Sequence, residues 1–167
     1  MLFYHPAFDV YHAIFRLLVI LDSNERKWIE LERLRIYDFY LLFPRELGSV
    51  RMSPLMLTTK RELSRLPQYE AIENPARVFY RLEPLFNHAV DFLLLQGFIE
   101  KDANDIPQVR LLGKALEPDL EGIVAKRKEQ SSLPLMTLHG ELNSYSLFGP
   151  SGLKARTNLL PSRYDRK

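Results

Sequence analysis

The sequence predicts a mainly α fold with one small β-hairpin: a winged helix-turn-helix domain over residues 1–130, then an extended C-terminal arm, or an unstructured tail, over residues 131–167. Three observations carry that expectation. Apolar residues recur at helical spacing along the N-terminal half. A helix–hairpin–helix pattern follows, and after Gln130 the composition turns rich in Ser, Pro, Gly and Leu with little periodicity.

Pro6 suits the first turn of a helix, and Val10, Ile14, Leu17, Leu18 and Leu21 follow at helical spacing, so a helix is expected over residues 6–21. Asp9, His12 and Arg16 lie on another face of it as a polar stripe. Asp22 to Glu25 is a capping loop. WIELERLRIYDFYLLFP begins with alternation, becomes helical by Leu34 and stops at Pro44. Residues 45–75 are irregular, with a short helix near 60–66.

Asn74-Pro75 is a helix start, a cap followed by proline at the first helical position. Val78, Leu82, Leu85, Ala89 and Leu93 form its apolar face; Pro84 must kink or split the helix, and Gly97 ends it. In LLLQGFIEKDANDIPQVRLLGKAL, Phe98 to Glu100 reads as a strand, Asp102 to Pro107 as a turn and Gln108 to Leu111 as the return strand. A charged helix ending in AKRKEQ follows. Helix, hairpin and helix in this order close a winged-helix domain. Beyond Ser131, Leu133, Leu135, Met136, Leu138, Leu142, Leu147 and Phe148 are too apolar for a bare tail, so the arm is expected to lie along its own domain or a partner.

A chain of 167 residues with 46% apolar and 26% charged residues forms one domain with a real core. It has no cysteine, which excludes disulfides and thiolate chemistry and makes a reducing cytoplasm the simplest compartment. The apolar N-terminus lacks a basic start and a small-residue cleavage site and carries Asp9, His12 and Arg16, so neither a signal peptide nor a membrane span is expected. The net charge of +2 is unevenly placed. Lys154, Arg156, Arg163, Arg166 and Lys167 stand against Asp165, leaving the first 150 residues at −2. A globally basic surface for nucleic acid is absent.

His5, Asp9 and His12 at i, i+4 and i+7 have metal-ligand spacing on a helix, but Pro6 disfavours a helix that includes His5. Asp9 is better placed at the helix's positive end, with His12 half-exposed; no metal or other cofactor is expected. There is no phosphate-binding glycine loop, no G-x-S-x-G elbow and no cysteine nucleophile, so no enzymatic activity is expected. Local positive charge is offered by Arg77, Arg81, Lys101, Arg110, Lys114, Lys126, Arg127 and Lys128, as candidate DNA contacts with the wing on phosphates. Glu83, Asp91, Glu100, Asp102 and Asp105 interleave with them, and a mixed-charge solvated surface is the competing reading.

IYDFYLLFP, Ile36 to Pro44, sets Asp38 among seven large apolar residues. A helix apolar all round is buried, so Asp38 needs a cation, and Arg16 or Arg35 can supply it.

YHPAFDVYHAIFRLL and LERLRIYDFYLLFP together resemble the middle-component proteins of bacterial ABC-three-component defence systems, and within these the small subunit of Lamassu-type anti-phage and anti-plasmid complexes. The likeness covers roughly residues 3–125. It implies a non-enzymatic winged-helix subunit that docks near the heads of an SMC-like coiled-coil ATPase and couples detection of foreign DNA to an effector nuclease. Tyr37, Phe39, Tyr40 and Phe43 on the aromatic helix, with Leu133, Leu135, Met136, Leu138, Leu147 and Phe148 on the arm, are the candidate partner contacts. The aromatic helix serves either the internal core or that contact. Both segments suggest more apolar surface than the chain alone can hide. The alternatives are a free winged-helix transcription regulator and, less favoured, a metalloenzyme using His5, Asp9 and His12.

Overall fold

Asp9 sets where the first helix begins. Its Oδ1 accepts the Tyr11 backbone N–H at 2.8 Å, with Asp9 itself extended, so α1 runs Val10–Ser23. That start lies past the one Pro6 suggests. The computed structural model describes residues 9–25, 27–68, 71–113 and 116–160, and His5 and Lys114 fall outside them. From Ala13 to Leu21 every residue of α1 except Phe15 is buried. The helix is therefore the centre of the fold, packed on by α2 (Leu31–Leu42), α5 (Glu83–Leu95), α6 (Pro118–Gln130) and α7 (Ser132–His139).

The alternation at Trp28 to Leu31 forms a short strand, β1 (Ile29–Glu30). It pairs antiparallel with β3 (Gln108–Leu111), Ile29 opposite Val109, and β3 pairs antiparallel with β2 (Ile99–Lys101). The sheet is three-stranded, in the order β1-β3-β2, where the sequence suggested a two-stranded hairpin. Ile29, Ile99, Val109 and Leu111 turn inward. Gly97, at φ +72, makes the turn from α5 into β2.

After α2 the chain turns through a 3₁₀ helix, Pro44–Ser49, and a second, Pro54–Met56, into α3 (Leu57–Ser64). Asn74 caps α4 (Pro75–Arg81), its Oδ1 accepting the Arg77 N–H at 3.1 Å. Pro84 lies in the first turn of α5, so the expected break falls at Leu82 and yields two helices.

The C-terminal segment is not an extended arm. It folds into α7, a 3₁₀ turn at Leu142–Ser144 and α8 (Leu153–Thr157). Leu135, Leu138, Leu142, Leu147, Leu153 and Leu159 all enter the same core as α1. Arg33 on α2 anchors this segment by donating to the carbonyls of Leu142 at 3.1 Å and Tyr145 at 2.8 Å, while its Nε meets Glu30. Leu135 and Leu138 repeat at i, i+3, and Pro134 sits early enough in α7 to be tolerated. Among the described residues no helix is long and apolar enough to cross a membrane.

Candidate interaction surfaces

The aromatic helix proves internal. Tyr37, Phe39, Tyr40 and Phe43 are buried in the chain's own core and present no face to a partner in this conformation. Phe39 meets Phe79 edge-on at 5.7 Å, and Tyr37 meets His139 of α7 edge-on at 5.6 Å. Burial pushes the Tyr37 phenol up to about 12 and raises Tyr40 as well. Asp38 receives Arg16 Nε at 2.7 Å, the pairing its setting demanded.

The terminal residues divide differently. Leu135, Leu138 and Leu147 are buried, Leu133 and Phe148 are half-buried, and Met136 is 67% exposed. Of the ten expected partner contacts, Met136 alone is mainly on the surface.

The basic candidates are spread over several elements. Arg77 and Arg81 are exposed on α4, Lys101 and Arg110 on the sheet, and Lys126 on α6. Arg110 is engaged by Glu100 and stacks 4.7 Å over Trp28; Lys128 reaches Asp22 at 2.9 Å. Arg127 lies against His12 and Phe15. Among the described residues no cluster of three or more His, Asp or Glu side chains has metal-holding geometry, and Asp9 caps α1.

Two other features come forward. A groove of about 570 Å³ lies between α2, α5, the β2–β3 turn and the C-terminal segment. Leu31, Phe86, Ile106 and Phe148 give it an apolar lining. Arg35 with Glu83 at 3.1 Å, the buried Lys154 with Glu32 at 3.2 Å, and Asp105 supply its charges. Arg35 also stacks 4.1 Å over Phe79, its Nε is buried without a partner, and desolvation lowers its pKa. Beyond the groove, the outer side of α5 is exposed at Pro84, Asn87, His88, Asp91, Phe92 and Leu95. Leu95 is 86% exposed and Phe92 39%. The sequence held a signal for Leu95, which lies off the stripe of Leu82, Leu85, Ala89 and Leu93 that faces the core, whereas Phe92, seven residues after Leu85, lies at its edge.

No curated protein and no solved structure matches the chain. The family described as ABC-three component (ABC-3C) system Middle Component 5 matches over residues 2–165. That span takes in the buried Arg16–Asp38 pair, the three-stranded sheet and the folded C-terminal segment, and the chain belongs to the Middle Component 5 family of ABC-three-component systems.

Proposed function

We propose that this middle component is a non-enzymatic interaction subunit of winged-helix architecture that docks near the heads of an SMC-like coiled-coil ATPase and couples foreign-DNA detection to an effector nuclease. Membership of a three-component system implies protein partners. The order α1, β1, α2, then α5, β2 and β3 with an antiparallel β1-β3-β2 sheet supports the winged-helix reading. The two N-terminal motifs support the Lamassu-type assignment through their likeness to those small subunits.

One observation carries the choice of partner. In a winged helix the helix before the wing reads the major groove, usually with basic and amide side chains. Here that helix is α5, and its exposed residues are Pro84, Asn87, His88, Asp91, Phe92 and Leu95, without a lysine or arginine. Phosphate-rich DNA gains little from such a face, whereas an apolar strip with one acid suits a protein. This weighs against a free transcription regulator and moves the partner contact from α2 and the C-terminal segment to α5.

The test is co-purification with the ATPase encoded alongside. Phe92→Asp with Leu95→Asp is expected to abolish capture while leaving the melting temperature nearly unchanged. Capture by the double variant at wild-type level, or a monodisperse dimer that shifts a defined operator, overturns the reading.

A further inference from the structure

A second concavity, about 290 Å³, opens where α1, the end of α2 and the end of α6 meet. His12, Arg16, Leu41, Leu42, Arg127 and Ser131 are among the residues that line it. Its charges do not balance. Arg16 spends Nε and a second nitrogen on the two oxygens of Asp38, at 2.7 and 3.4 Å, so that pair is neutral. Arg127 has no carboxylate partner among the described residues. Its terminal nitrogen donates to His12 Nδ1 at 3.3 Å and its guanidinium lies 4.9 Å over the Phe15 ring. Both contacts aim the group without neutralising it.

Arg127 is half-buried, and a partly desolvated guanidinium near a second one gains from an anion that completes the site. Burial first, and then the neighbouring Arg16 charge, lower the Arg127 pKa accordingly. At Ser131 α6 ends and α7 begins, so opposite dipole ends of the two helices meet there and offset one another, leaving Arg127 as the unbalanced charge. We propose that this concavity is a docking site for a carboxylate side chain, Asp or Glu with an apolar neighbour, carried by a protein partner. One uncompensated guanidinium matches one carboxylate, whereas a phosphate dianion exceeds it. Val19, Leu41 and Leu42 provide an apolar wall for the adjacent side chain. The site is separate from the α5 face, and neither depends on the other.

The test titrates the full isotope-labelled chain with three probes: acetyl-Leu-Glu-Leu-amide, acetyl-Leu-Gln-Leu-amide and inorganic phosphate. The Glu peptide is expected to move the His12 and Arg127 resonances, with the Gln peptide and phosphate at least about tenfold weaker. Arg127→Gln is expected to weaken the Glu peptide by about tenfold or more, and Arg127→Lys by less. Equal binding of the Gln peptide, tighter binding of phosphate, unchanged binding to Arg127→Gln, or no response to any probe overturns the proposal. A lost ATPase contact in the α5 variants leaves these titrations unaffected, so the two readings fail separately.

Discussion

Arg16 on α1 and Asp38 on α2 meet with Nε 2.7 Å from Oδ1, their side chains 9% and 8% exposed. The pair sits where the two helices pack, so each charge depends on the other for compensation. Removing Asp38 leaves a buried guanidinium alone.

Asp38→Ala is therefore expected to destabilise the chain by about 3–5 kcal/mol, read by urea denaturation. The joint change Arg16→Met with Asp38→Leu is expected to recover most of that loss, because an apolar pair needs no hydrogen bonds. A single variant as stable as wild type would contradict the buried pairing.

Truncation after Gln130 is expected to unfold the chain rather than release a stable domain. It removes Leu135, Leu138, Leu142, Leu147, Leu153 and Leu159 from the core and frees the Arg33 guanidinium from two carbonyls. Leu138→Ala alone is expected to cost about 2–5 kcal/mol. Dispersed amide resonances in the truncated chain would argue that the segment is dispensable.

Much of this architecture was readable one neighbourhood at a time. Asn74 before Pro75, Pro84 inside the helix and Gly97 after it are local signals, and each marks a real boundary. Asp38 announced its need for a cation, and Arg16 was one of two candidates within reach; Arg35 is instead taken by Glu83. The third strand and the C-terminal fold were not legible, because Ile29 pairs with Val109 and Arg33 holds Leu142 across long stretches of sequence. The aromatic helix showed that it was buried, but no local pattern could say by what. The outward Leu95 needed only a comparison with the core stripe; Phe92, in line with Leu85 and Ala89, did not stand out from it.

Acid is expected to weaken the fold through His139. This ring is packed against Tyr37, its Nε2 has no partner, and burial, then Lys128, holds its pKa down at about 4. The folded state thus binds the proton less well than the unfolded one. Stability is full above the unfolded value of about 6.5 and is lost as pH falls from there through about 4. Allowing for partial solvent screening, the loss is expected to be about 1–2 kcal/mol. His139→Phe should flatten that part of the profile in pH-dependent denaturation; an unaltered slope would assign it to other groups.

Two glycine-to-alanine changes should have opposite signs. At Gly152 an added Cβ would sit 2.2 Å from the Phe148 carbonyl oxygen, so Gly152→Ala is expected to cost about 1–3 kcal/mol. At Gly122, within α6, nothing lies within 4 Å, and Gly122→Ala is expected to stabilise by about 0.5–1 kcal/mol. Thermal melts of the two proteins decide both.

The shared core, drawn from Ala13 at one extreme and Leu159 at the other, also bears on biosynthesis. A nascent chain that has reached only the wing still has exposed grease along its central helix, since the leucines that cover it have not been translated. Packing must wait for the ribosome to pass residue 159, which exposes the unfinished chain to chaperones or to early capture by a partner.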